Sequence, residues 1–222
     1  MRSNAWIAGA LALALIAGAG CNRSRRKTIA VVPKGTSHIF WLSVQAGALA
    51  AGKAFDVDIL WNGPATETEY DRQVQILDSM IARRVDGIAV AAAERKALVN
   101  VVERATKAGI PVTVFDSGLD CDCYMTFLAT NNYEAGQIGA RTLAGLLDGK
   151  GPIAMLMHAP GSASTMDRER GFEDAIKAEF PGMKIVASQF GMSDRVKARA
   201  AMENMMAAHP EIVGVFASTE PS

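Results

Sequence analysis

From Lys27 onward, short apolar runs alternate with longer segments whose apolar residues recur at helical spacing. Thr28–Val32 is rich in β-branched residues and predicts a strand, and Ile39–Ala54 carries Ala, Leu and Val three and four residues apart. Residues 57–61 predict a second strand, and 67–84 a second helix with Val74, Leu77 and Ile81 on one face. A strand at 86–91, a helix at 96–108 and strands at 111–115 and 125–130 follow. Gly109 and Pro111 stop one element and open the next. After a helix at 133–147 the alternation restarts, with strands at 152–157, 183–188 and 213–217 and helices at 168–180 and 194–208. Strands that are apolar throughout, separated by amphipathic helices, call for parallel sheets covered on both faces.

Two successive sets of these units predict two α/β lobes, each a doubly wound parallel sheet, divided near Asn131. The lobes are expected at 28–130 and 131–222, the helix at 133–147 coming just after the crossing between them. The second lobe has three strands, and Ser222 falls directly after the last of them, so a lobe truncated at its C-terminus is expected, with apolar sheet surface left uncovered. Open parallel sheets bind ligands beyond the carboxyl ends of their strands. That rule selects residues 34–41, 62–64, 92–93, 116–117, 131–132, 158–168, 188–193 and 218–220 as candidates.

The first twenty residues break the pattern. Arg2 precedes an apolar run from Ala5 to Ala19, and the small residues Gly18, Ala19 and Gly20 lead into Cys21. About fifteen apolar residues are short for a membrane span, and the arrangement predicts a signal peptide over 1–20. A Cys after small residues is similar to the acylation site of bacterial lipoproteins. Cys21 would then carry lipid, with 21–27 as a polar tether, and the protein would be exported to the periplasm or the cell surface. Cys121 and Cys123 are expected as two unpaired loop cysteines, because a Cys-x-Cys pair places its side chains poorly for closing a ring of that size. No His lies near them to complete a zinc set.

Lys plus Arg equals Asp plus Glu at 23 each, so no net field favours nucleic acid. No glycine-rich phosphate loop and no nucleophile elbow occurs, and the three histidines, His38, His158 and His209, are far apart in sequence. These readings predict no enzyme activity and no cofactor.

Six segments, in order and at matching spacing, together resemble the ribose-binding (type I) family of periplasmic binding proteins. They are IAVVPKGTSHIFW at 29–41, VDGIAV at 85–90, AGIPVTVFDS at 108–117, TNNYEAG at 130–136, SASTMDRERGF at 162–172 and VGVFASTEPS at 213–222. The resemblance implies two lobes joined by a hinge and a sugar held between them. It places Phe40 and Trp41 on the sugar ring, Asp116 and Arg168 on its hydroxyls, and Thr219 where an Asn is common. Lys34, within Pro33-Lys34, and the WNGP segment at 61–64 are more similar to the rhamnose- and autoinducer-2-binding branch, in which such a Lys reaches the ligand. Ser117 stands where the ribose pattern has Arg, and Ser193 where it has an aromatic. His38 is a candidate either for a ligand hydroxyl or for capping the helix that follows. The implied partners are a small carbohydrate and an ABC-type permease, with the protein itself a monomer. The effector domain of a transcription regulator or chemoreceptor system and a flavodoxin-like enzyme are the rival readings. The first needs a helix-turn-helix where the signal-like segment stands, and the second predicts bound cofactor absorbance.

Overall fold

Val, Ile and Ala runs form the strands because their branched or small side chains pack on a pleated surface with a helix across it. A computed structural model describes residues 25–220. The signal peptide, Cys21 and most of the tether lie outside the described residues. Among the described residues the order is β1 (Thr28–Val32), α1 (Ile39–Ala54), β2 (Asp58–Trp61), α2 (Tyr70–Ala82), β3 (Gly87–Val90), α3 (Val99–Lys107), β4 (Val112–Phe115), β5 (Thr126–Leu128), α4 (Asn132–Leu146), β6 (Gly151–Met157), α5 (Ala163–Glu179), β7 (Met183–Phe190), α6 (Arg195–Ala208) and β8 (Gly214–Ala217). Strands β1 to β5 make one parallel sheet in the order β2-β1-β3-β4-β5, and the rest make a second parallel sheet in the order β7-β6-β8. The expected α/β architecture with two separate parallel sheets is what the chain adopts.

The first core lies between its sheet and α2 and α3, where Val32, Val90, Val112 and Val114 meet Leu77, Met80, Val101 and Val102. In the second sheet β6 is central and alternates its faces. Ile153 and Met155 join α4 and α5 on one side, while Ala154 and Leu156 join α6 on the other. Phe172 of α5 stacks on Phe216 of β8, their centroids 4.0 Å apart. Helices α4 and α5 touch backbone to backbone because Gly136 and Gly171 sit at the crossing. A Cβ on Gly136 would overlap the Arg168 carbonyl oxygen and stand 2.7 Å from the Phe172 nitrogen.

Four expectations are corrected. Cys121 and Cys123 are joined by a disulfide: the loop bends, bringing their Cα atoms to 5.3 Å, inside the range a bridge spans. Helix α5 begins at Ala163 rather than 168, because Gly161 at φ 85° turns the chain and the helix starts two residues later. Helix α2 begins at Tyr70 rather than 67, since Glu69 Oε2 accepts from the Thr66 nitrogen at 2.8 Å and holds residues 66–69 in a turn. The first sheet is also not covered evenly on both faces. Among the described residues only α1 crosses the outer face of the first sheet, lying over β2 with Gly52 against Ile59, and a groove of about 580 Å³ lined by Ile29, Val31, Val44 and Phe115 stays open beside it. In the second sheet, Leu156, Ala198, Met202 and Val215 line a similar open groove.

A candidate sugar cleft between the two sheets

The carboxyl ends of both sheets face one another, and the residues just beyond β1, β2, β4 and β8 meet the first turns of α4 and α5. One cavity of about 260 Å³ lies there. All seven candidates, Lys34, His38, Phe40, Trp41, Asp116, Arg168 and Thr219, line it. So do Glu67, Thr130, Asn132, Ser164, Thr165 and Glu220.

The first-lobe wall is built around a carboxylate that sequence reasoning placed in a helix. Glu67 is buried in the loop behind β2, where it accepts the Trp41 Nε1–H at 2.9 Å and pairs with Lys34 Nζ at 3.2 Å. Burial alone would raise its carboxyl. The interaction with His158, the Lys34 charge and the Trp41 bond outweigh it and hold Glu67 far below the usual carboxylate range. His158 Nε2 stands 3.3 Å from Glu67 Oε2 but off line for a hydrogen bond, so the approach is electrostatic.

Lys34 is not a surface lysine. Only 3% exposed, it donates across the cleft to Ser162 Oγ at 3.0 Å and Ser164 Oγ at 3.5 Å, and lies 3.9 Å from Asp116 Oδ2. Ser117 Oγ adds a second crossing by accepting from the Ser164 nitrogen at 3.2 Å, and the Arg95 nitrogen a third by donating to the Gly161 carbonyl at 2.9 Å. Asp116 ends β4 at φ 59°, a left-handed position that Asp tolerates better than most residues. Burial raises its carboxyl, and Lys34 opposes the rise.

The adjacent aromatics divide the work, as two neighbours about 100° apart on a helix should. Trp41 is 1% exposed and clamped by Glu67, whereas Phe40 is 47% exposed and stands edge-on to it at 4.9 Å. Of the two roles open to His38, the structure shows the helix cap. Its Nδ1 accepts from the Phe40 nitrogen at 3.2 Å, capping α1, and its Nε2 meets the Glu220 carboxylate at the cavity rim.

The second-lobe wall hangs on Arg168. It donates to the Ser218 carbonyl and, at 2.7 Å, to Asn132 Oδ1, which ties the ends of β8, α4 and α5 together. Arg170, two residues on, instead lies over the Tyr133 ring and pairs with Asp167 at 3.0 Å, away from the cavity. Behind the wall, Glu169 accepts from the His158 nitrogen at 2.9 Å and from Ser218 Oγ at 2.7 Å, and burial raises its carboxyl. Ser164, Thr165, Asn132 and Glu220 fall inside the post-strand segments that the sheet rule selects. Glu67 does not, and its one sequence signal is an acid three residues past Pro64.

An open aromatic face, a carboxylate, a guanidinium and several hydroxyls around a small cavity suit a neutral ring bearing hydroxyls. The family described as periplasmic binding protein domain matches residues 29–221. The chain belongs to this family. It is 30% identical over 200 residues to a D-ribose/D-allose-binding protein of Pseudomonas aeruginosa, covering 86% of this chain and 62% of that one. The crystal structure of a carbohydrate transporter solute-binding protein from Agrobacterium radiobacter, in complex with D-arabinose, superposes with a TM-score of 0.85. That pair is 33% identical over 87% of this chain and 67% of the other. An ABC transporter solute-binding protein from Agrobacterium vitis with bound D-fucose is 35% identical, covering 87% and 68% of the two chains, with a TM-score of 0.83. The resemblance read from the six segments is thereby confirmed at the level of the family.

Proposed function

We propose that this periplasmic binding protein captures one small sugar between its lobes and presents it to an ABC-type permease. The observation that carries the reading is a single cavity. Phe40 and Asp116 enter it from one wall and Arg168 from the other, so a bound ring touches both lobes at once. Contacts made only when the lobes meet bias the molecule toward the closed form. The cavity has room for roughly nine waters, which is the scale of one monosaccharide. Its two cations, Lys34 and Arg168, are already engaged within the protein, which favours an uncharged polyol over a sugar acid or phosphate. Each site residue then has a binding role rather than a catalytic one. Phe40 stacks, Asp116 accepts and Arg168 donates, while Thr219 and His38 shape the rim. Lys34 spans the two walls as much as it faces the ligand. Export, acylation at Cys21 and action as a monomer complete the proposal.

A thermal-shift screen tests it, with D-arabinose, D-ribose, D-allose, D-tagatose, D-fucose, rhamnose and autoinducer-2. At a hundred times its dissociation constant the right sugar adds about 2.7 kcal/mol of stability. No shift with any of them at millimolar concentration sinks the sugar reading.

A further inference from the structure

Behind the sugar cavity a buried set of charges has one carboxylate too many. Lys34 and Arg168 face Glu67, Asp116 and Glu169, and one imidazole, His158, stands among them. His158 is 1% exposed, and among the described residues neither ring nitrogen has a well-aligned hydrogen-bond partner. Its Nε2 points toward Glu67 Oε2, the oxygen that Lys34 also holds. Its backbone nitrogen is tied to Glu169 of α5, and Asp116 lies within electrostatic range from the first lobe. At the rim, Glu220 is separately matched by Arg195 at 2.8 Å and by His38. A neutral imidazole leaves two cations against three carboxylates, two of them buried and Asp116 partly so, and an imidazolium makes the count even.

An uncompensated buried charge is expensive, and a proton removes it without moving any backbone. Imidazole is the side chain that exchanges that proton between pH 5 and 8. Glu67 belongs to the first lobe and His158 to the second, so only a closed cleft brings them together. We propose that Glu67 is a positioning residue of the sugar site, and that with His158 it forms an interlobe pair taking up a proton as the lobes close. This rests on the reading of the cleft as a sugar site. It makes that site a proton-coupled one: the closed form binds more protons than the open form, so affinity is highest in acid and falls as pH rises through the imidazole range.

Calorimetry with D-arabinose, D-ribose and D-allose, at pH 7 in two buffers of different ionisation heat, counts the protons. The wild-type chain should take up about half a proton per sugar, and its affinity should fall about tenfold between pH 6 and pH 8. Glu67→Gln and His158→Gln should each bring the uptake near zero and flatten the pH profile, and Glu67→Asp should restore part of it. Sugar binding without proton uptake overturns the proposal. So does an uptake that survives in both Gln variants, which would assign the proton to Asp116 or Glu169. A second measurement needs no sugar: paired spin labels across the cleft mouth of the full chain should read a shorter separation at pH 5.5 than at pH 8, an effect lost in His158→Gln. If no sugar binds yet that change is seen, the sugar reading fails and the interlobe pair stands; a separation that ignores pH removes the pair itself.

Discussion

The two walls of the cleft are positioned by different physics. On the first-lobe side, side chains hold one another: Glu67 grips Trp41 and Lys34, and Lys34 reaches Asp116 and the opposite serines. On the second-lobe side the placement comes from backbone. Arg168 sits where α5 crosses α4, and two glycines let the helices touch there before the guanidinium ties Ser218 to Asn132. A wall made of side chains is tuned by conservative substitution and tolerates it in small steps. A wall made of touching backbones either fits or does not.

The sharpest way to break this contrast is Gly136→Ala. The added methyl overlaps the Arg168 carbonyl, so α4 and α5 must separate, moving Arg168 and opening the Phe172–Phe216 stack. Overpacking against rigid backbone should cost about 3 to 4 kcal/mol of stability in urea unfolding. The matching change in the first wall, Glu67→Gln, keeps the shape and should cost less than half as much. Equal losses would show that the walls do not differ in this way.

Next in size is Asp116→Asn, measured as sugar affinity. Losing a charge-assisted acceptor to ligand hydroxyls should weaken binding by about 3 kcal/mol, roughly a hundredfold in calorimetry. Asn is the cleaner replacement because it accepts φ 59°, whereas Ala would add about 1 kcal/mol or more of backbone strain. Burial already disfavours the Asp116 charge, so the variant should unfold at the same temperature as the parent or higher at pH 8. A variant that binds sugar normally takes Asp116 out of the site.

How far the sequence carried the structure follows the same division. Strand and helix periods, the two-lobe alternation and the carboxyl-end rule selected the segments that hold Lys34, Phe40, Asp116, Arg168 and Thr219, and the family resemblance chose these residues within them. Lys34, Phe40, Asp116 and Thr219 lie just beyond a strand or in the helical turn that follows, whereas Arg168 lies further on, in the second turn of α5. Glu67 escaped because an acid three residues past Pro64 is a weak mark. Its partners are 26 residues away at Trp41 and across the cleft at His158, and the turn that frees it from α2 depends on a side-chain bond from Glu69. The disulfide escaped because the small ring that Cys121 and Cys123 close is unfavourable without the bend of their loop. Even coverage of the first sheet was over-read from apolar strands, since such strands state a need for cover without saying which helix supplies it.

Glu67 and Glu169, one carboxylate from each wall, should also respond oppositely to acid. Glu67 is held well below its ordinary value of 4.5 in the folded protein, so the stability it contributes is complete above that value and is lost as pH falls below it. Glu169, raised by burial, has the reverse sign: what it contributes is present in acid and lost as pH rises past its ordinary value. Glu67→Gln should therefore flatten the loss of stability between about pH 5 and pH 3 by about 1 to 2 kcal/mol, and Glu169→Gln should steepen it. Melting temperature against pH for the two variants reads both signs, and slopes that move the same way would contradict the assignment.

The smallest effect concerns the neighbouring aromatics and asks whether Phe40 and Trp41 differ in role as their exposure suggests. Phe40 presents an open face to the cavity, and Phe40→Leu keeps apolar volume while removing the ring. It should weaken sugar binding by about 1 kcal/mol, some fivefold to tenfold, and leave the unfolding midpoint unchanged, because half the ring is already in water. Trp41→Phe removes the indole N–H that Glu67 accepts, leaving a buried carboxylate oxygen short of one partner. Its cost of about 1 kcal/mol should appear in stability, with affinity following only as far as Lys34 and Glu67 shift. Both changes are of similar size, so their distribution between calorimetry and unfolding is the discriminating quantity. If Phe40→Leu destabilises the fold, or Trp41→Phe acts on affinity alone, then the exposed ring is structural and the buried one carries the contact, reversing the roles given to them here.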